Sequence, residues 1–235
     1  MTATNLSLTR PPGDGWLALL GGGEFSFGET HDADAAWLAR APAGPIGFVP
    51  AGSGSVDYAT HFATYVRETF SREVETLPVF RGRDGRRGKN AERVAEMAAV
   101  YLGGGLADQL LEAVADTPFA AALLERLAGG GVVTAIAAAA QCAGRVTRSL
   151  TGTIVPGLGW LAHGVVDANF DPDHDRRLRQ LMRQPEVQWG VGIPAGAALL
   201  LGPGGAVEVV DSVFVLTSPD GEYTVLEEEE HGELM

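Results

Sequence analysis

The chain has 235 residues, 46% of them apolar, with 32 glycines and 13 prolines, a composition that excludes a disordered tail or fibrous repeat and suits one large globular domain with many tight connections. Its formal net charge of −13 excludes general nucleic-acid binding, which needs clustered Lys and Arg to displace counterions from phosphates. The lone cysteine, Cys142, excludes an internal disulfide, and neither a charged leader nor an apolar run near the roughly 20 residues of a membrane span is present, so a cytoplasmic protein is expected.

In chain order, residues 1–14 read as a flexible, proline-marked start. Trp16 to Leu20 is a short apolar run that stops at Gly21-Gly22-Gly23, as a buried strand entering a loop should. The pattern returns at Ile46 to Pro50, at Ala99 to Leu102 before Gly103-Gly104-Gly105, and at Val132 to Ile136 before an alanine-rich segment. Helical spacing follows these runs at Val56 to Arg72, Asn90 to Ala98, Ala107 to Val114, Thr117 to Leu127 and after Ile136. Thr117-Pro118 is a strong start signal, because threonine caps free N–H groups and proline suits the first helical position. Strands alternating with helices predict a doubly wound α/β fold, a mostly parallel sheet covered on both faces.

The pattern changes near the end. Gln188 to Ile193, Ala197 to Leu201, Ala206 to Val210 and Val213 to Leu216 are short apolar runs between Gly-Pro and Pro-Asp-Gly turns, and they read as an antiparallel extension of the same sheet. Residues 226–235, with Glu227 to Glu230 and Glu233, read as a solvated acidic tail. The basic stretch Arg81 to Lys89 reads as a solvated loop between a strand and a helix, the alternative being an anion or acidic-peptide contact.

Ligands of an open parallel sheet bind at the carboxyl ends of its strands, so the informative loops are Gly21 to Glu24, Pro50 to Ser53, Gly103 to Gly105 and Ala135 to Ala140. None is a phosphate loop, because the Gly-x4-Gly-Lys-Ser/Thr pattern is missing. Taken in order, however, several motifs resemble the cyanophycinase and aspartyl-dipeptidase family of serine peptidases, whose fold is related to class I glutamine amidotransferases. They are Leu19 to Glu24, Phe48 to Ala51, Val100 to Gly105, Gly130 to Val133, Pro156 to Trp160, Gly164 to Phe170, the arginine-rich helix at Arg176 to Arg179, and Gly190 to Ile193.

The resemblance implies a nucleophilic serine on a tight strand-to-helix turn written Gly-Thr-Ser-Ala-Gly-Ala; the matching text is Ala135-Ile-Ala-Ala-Ala-Ala140, which places Ala137 at the serine. The family's histidine base, in Val-Asp-Gln-His-Phe, becomes Asn169 in Val166-Asp-Ala-Asn-Phe170, and its acidic partner becomes Ala195 in Gly190-Val-Gly-Ile-Pro-Ala195. A methyl group cannot attack a carbonyl and an amide has no proton that titrates near neutral pH, so all three departures point to lost chemistry. Gly103, Gly104 and Gly105 would line the oxyanion site of an active relative, or serve only as a close passage for the chain.

Two replacements are open at this level. Gln141-Cys-Ala-Gly144 offers Cys142 as a nucleophile, although a small buried thiol on a helix explains it as well. His174, between Asp173 and Asp175, offers a relocated base, or is simply solvated. The five histidines lack the spacing of paired metal ligands, so neither a metal nor any other cofactor is expected. A small-molecule or peptide ligand and, beyond it, a homodimer are the expected partners, without nucleic acid or membrane. Lys89 is the only lysine among 17 basic residues, a bias of high-GC bacterial genomes.

Overall fold

A computed structural model describes residues 8–228. Seven strands form its main sheet: β1 (Trp16–Leu20), β2 (Ile46–Val49), β3 (Val74–Thr76), β4 (Ala99–Leu102), β5 (Val132–Ile136), β10 (Ala198–Leu201) and β11 (Val207–Val210), in the order β11-β10-β1-β5-β4-β2-β3. From β1 to β3 every neighbouring pair is parallel, while β10 and β11 add antiparallel to the β1 edge. The four apolar runs that precede glycine or alanine loops are the four central strands, buried on both faces as a parallel sheet requires.

The C-terminal runs divide between two sheets. The runs that become β10 and β11 extend the main sheet, but β9 (Trp189–Ile193) and β12 (Ser212–Leu216) leave it for a second sheet of order β13-β12-β9-β8, with β8 (Gly164–Ala168) and β13 (Thr224–Glu227). The expected extension is therefore half as wide as the apolar runs suggest. The reason is in β9, where Gly190 and Gly192 alternate with Val191 and Ile193. A Cβ on Gly190 would lie 2.7 Å from Met182 Sδ and one on Gly192 2.4 Å from the Phe170 ring. The bare glycine face seats Phe170 and the helix α8 (Arg176–Met182), and only a sheet apart from the main one can offer it to them. A small hairpin of β6 (Val146–Arg148) and β7 (Ile154–Pro156) completes the strands.

The helices α1 (His31–Arg40) and α2 (Val56–Phe70) cover one face of the main sheet, and α4 (Gly88–Glu96), α5 (Ala107–Val114), α6 (Pro118–Ala128) and α7 (Ala138–Cys142) lie on the other, with the second sheet packed beside them. Alternation along β1 distributes the core: Leu17 and Leu19 join the α5, α6 and second-sheet side, Ala18 and Leu20 the α1 and α2 side. Thr117 caps α6 by accepting from the Ala120 N–H, and Ser55 caps α2 by accepting from the Tyr58 N–H. The basic stretch holds more than a solvated loop, since α3 (Gly82–Gly85) forms within it. The buried Asp84 carboxylate there accepts from the Phe80 and Arg81 N–H groups, and a side chain on Gly85 would strike the Ala113 carbonyl.

Both chain ends depart from their expected freedom within the described residues. The Arg10 guanidinium donates to the carbonyls of Gly202, Pro11 and Gly13 at 2.8, 2.7 and 2.6 Å, and Asp14 N–H donates to Ala128. Leu226 and Glu227, assigned to the acidic tail, are paired in β13 with Val213 and Ser212; Glu229, Glu230 and Glu233 lie outside the described residues. Among those residues no helix is long and apolar enough to cross a membrane.

Beneath the loops at the carboxyl edge, Phe25, Phe48, Phe62 and Tyr101 pack as one aromatic cluster, Phe62 and Tyr101 with ring centroids 4.4 Å apart. Against it lies Asp34, fully buried, accepting from Thr30 Oγ1 at 2.7 Å, Trp37 Nε1 at 2.9 Å and Tyr65 O–H at 3.2 Å. Burial pushes this carboxyl above its usual range, against the pull of the three donors. Its role is to tie α1 to α2. Asp34→Ala strands three buried donors and is expected to destabilise the fold by about 3 kcal/mol or more, seen as a lower urea midpoint at unchanged m-value.

Candidate functional site

The strand-to-helix turn after β5 is centred on Ala137, whose backbone has φ 53° and ψ −119°. L residues rarely enter this region, which costs on the order of 1–3 kcal/mol unless the surroundings enforce it. They do so here. The Ala137 N–H donates to Leu20 O at 3.0 Å from the end of β1, and the Ala137 carbonyl accepts from Gln141 N–H at 3.1 Å, within α7. Ala137 therefore sits on a sharp strand-to-helix turn of the kind that exposes a side chain at a strand end, with a methyl group as its side chain.

Gly104 lies directly alongside, since a Cβ built on it would be 3.4 Å from that of Ala137. Gly103 anchors its loop by donating to Val49 O, and Gly105, at φ 138°, passes so near the next loop that a Cβ would fall 2.2 Å from Gly52 O. Among the described residues, the N–H groups of Gly104 and Gly105 have no backbone acceptor. A cleft of about 260 Å³ opens over this point, lined by Gly23, Ser53, Tyr58, Gly104, Gly105 and Ala137. Burial, then the nearby Glu24 and Asp34 carboxylates, push the Tyr58 phenol up to about 12, so it stays a protonated donor.

Asn169 follows β8 directly, at φ 49°, and its N–H donates to Gly21 O at 2.7 Å. A Cβ on Gly22 would fall 2.2 Å from Asn169 Oδ1, so the glycine loop after β1 packs on the Asn169 side chain with no room for one of its own. Ala195 is exposed in the turn between β9 and β10, next to Gly196, whose N–H donates to Gly22 O. Ala137 and Gly103 to Gly105 thus stand at the carboxyl edge of the main sheet, and Asn169 and Ala195, from strand ends of the second sheet, meet it through the loop after β1. The side chains of Ala137, Asn169 and Ala195 do not titrate near neutral pH.

The two replacement candidates lie elsewhere. Cys142 is the last residue of α7, wholly buried, with its thiol 3.9 Å from Ala107 O, and burial pushes its pKa from 9.0 to about 12. His174 is far out on the surface, its side chain 82% exposed, with Nδ1 2.7 Å from Asp171 Oδ2. That hydrogen bond, and then the aspartate charge, raise its pKa, while the same bond lowers that of Asp171. His174 borders a second cavity, reached from Asn169 and not from Ala137.

That second cavity contains residues to which the motifs gave no role. Asp167, only 1% exposed, is ion-paired with the Arg177 guanidinium, which also donates to Ala168 O at 2.7 Å. Burial raises the Asp167 pKa and Arg177 opposes the shift. Both residues stand within the quoted motifs, Asp167 two positions before Asn169 and Arg177 in the arginine-rich helix, so their pairing was within reach. Ser53 stood in one of the loops expected at the carboxyl edge, while Tyr58 had no such signal. Among the described residues no group of three or more His, Cys, Asp or Glu side chains is placed to hold a metal ion.

A mostly parallel sheet, helices on both faces and a tight turn at the end of a central strand define the class I glutamine amidotransferase-like α/β fold. The chain belongs to Peptidase family S51, whose family model matches residues 17–209. It is similar in structure to a peptidase from an acI-B1 Actinobacterium, at 20% identity and TM-score 0.72, covering 94% of this chain and 97% of that one. It is also similar to a putative peptidase E protein from Listeria monocytogenes EGD-e, at 15% identity and TM-score 0.60, covering 84% of this chain and 98% of the other. No curated protein matches the sequence.

The burial of Cys142 yields a direct expectation. Reaction with a thiol reagent at pH 8 should be at least about 100-fold slower in the native protein than in urea, because only the exposed thiolate attacks; mass spectrometry of timed aliquots measures the two rates.

Proposed function

We propose that this chain is a non-catalytic member of Peptidase family S51 that keeps the cleft over Ala137 as a binding pocket for a small-molecule or peptide ligand. The observation that carries this reading is the Ala137 turn, which retains a strained backbone geometry while presenting a methyl group where attack on a carbonyl needs a hydroxyl or thiol. Asn169 at the base position supports it, since a carboxamide hydrogen-bonds but does not titrate. So does the buried state of Cys142, the only thiol, whose thiolate is disfavoured in its apolar surroundings.

The ligand reading rests on what remains in the cleft. The Gly104 and Gly105 N–H groups and the Tyr58 hydroxyl are donors around an otherwise apolar recess, which suits a ligand with one carbonyl or carboxylate oxygen and an uncharged body. A bacterial, cytoplasmic setting agrees with the arginine bias and the single cysteine.

The purified protein is expected to show no turnover of aspartyl dipeptides or Asp-Arg polymers, because loss of a triad's nucleophile or base costs on the order of 10⁶ in rate. Ala137→Ser should fold with stability changed by less than about 1 kcal/mol, as the added hydroxyl faces the cleft, and should remain unlabelled by a fluorophosphonate. Only Ala137→Ser combined with Asn169→His and Ala195→Glu should label, and weakly. Turnover by the native chain that disappears on changing Cys142 or His174 would reject the non-catalytic reading in favour of a hydrolase with relocated groups.

A further inference from the structure

We propose that the second cavity, of about 610 Å³, formed between the β6–β7 hairpin and α8, binds the phosphate dianion of a small phosphorylated molecule. It is a site apart from the cleft over Ala137, and its argument does not depend on whether that cleft is catalytic.

The reasoning begins with charge. In a chain of net charge −13, three guanidinium groups, those of Arg148, Arg176 and Arg177, line one cavity. Arg177 is neutralised by the buried Asp167, and the exposed Asp171 is hydrogen-bonded by His174. Arg148 and Arg176 are left, and among the described residues neither lies within ion-pair distance of a carboxylate. Over the lining as a whole, with His174 neutral, three guanidinium groups face two carboxylates, a net positive space in an acidic chain, and the two guanidinium groups without an ion pair suit an oxyanion such as a phosphate monoester.

The second argument is hydrogen bonding. Arg148 Nε is buried without any partner, so no protein group among the described residues takes up the hydrogen-bonding capacity of this guanidinium. The hairpin is shaped to hold this side chain, because a Cβ on Gly152, at φ 83°, would lie 2.9 Å from Arg148 Nη2. Arg148 comes from a strand of the hairpin and Arg176 from α8, so the two forks approach from different elements. A tetrahedral phosphate monoester can receive both on its three terminal oxygens, one of them shared between the forks, whereas one planar carboxylate matches a single fork. The side-chain amides of Asn169 and Gln180 supply neutral donors on the same wall. The cavity is several times larger than a phosphate group, leaving space for the organic part of the ligand.

Inorganic phosphate is the first probe, titrated calorimetrically into the full-length chain at pH 7 and low constant ionic strength, with succinate as a dicarboxylate and sulfate as a second tetrahedral dianion. Phosphate and sulfate should bind, succinate more weakly. Arg148→Gln and Arg176→Gln should each weaken phosphate at least about tenfold, the loss typical of a charge-assisted contact, while Lys89→Gln leaves it unchanged. Arg176 is exposed, so its variant carries the test if Arg148→Gln does not fold. Absence of phosphate binding, or binding that Arg176→Gln leaves intact, would overturn the site; succinate binding more tightly than phosphate would overturn the phosphate assignment.

Discussion

The left-handed backbone at Ala137 is held by its neighbours, and the arrangement of the whole carboxyl edge depends on that restraint. Strand β5 runs between β1 and β4, parallel to both, so the chain leaving it must turn sharply between the loops that leave the other two. The bond from Ala137 N–H to Leu20 O fixes the turn to the end of β1, and the contact with Gly104 fixes it to the end of β4. Glycine is required at these crossings for a steric reason, since side chains on Gly22 and Gly105 would occupy the space of Asn169 and Gly52. The strain of the turn, on the order of 1–3 kcal/mol, is thus offset by packing that belongs to the sheet and not to any reacting group.

Two buried carboxyl groups show how differently the chain manages negative charge. Asp34 is surrounded by neutral donors from Thr30, Trp37 and Tyr65, and it serves as a hub joining α1 to α2 under the cleft. Asp167 is instead matched to a guanidinium from α8, which orients that helix against the second sheet. Removing the cation in the second case would leave an uncompensated charge, the more damaging of the two failures. Both groups have raised pKa values with burial as the leading cause, and neither faces the cleft over Ala137.

The distribution of charge also separates the two cavities. The cleft over Ala137 presents backbone donors, a phenol and apolar walls, while the cavity beside α8 presents guanidinium groups. Asn169 lines the cavity beside α8, and Gly23, in the glycine loop after β1, lines the cleft. A ligand suited to one would be poorly solvated in the other, so each can be occupied on its own terms.

The sequence by itself determined the parallel core and the identity of the residues at the elbow. Trp16 to Leu20, Ile46 to Val49, Ala99 to Leu102 and Val132 to Ile136 are apolar on both faces and end at glycine or alanine loops, a local pattern that admits few other folds. The motif order likewise placed Ala137 and the Gly103 to Gly105 loop at the carboxyl edge of that core, because chain order around a parallel sheet leaves little freedom in where its loops emerge. Only the tertiary structure decided which sheet receives β9 and β12, since short apolar runs carry no label for their partner and the choice rests on the glycine face of β9 meeting Phe170 and α8. It also decided that Tyr58 enters the cleft and that Arg148 meets Arg176 and Arg177 around one space. These are side chains brought together by packing over long separations in sequence, and no local spacing encodes such a meeting.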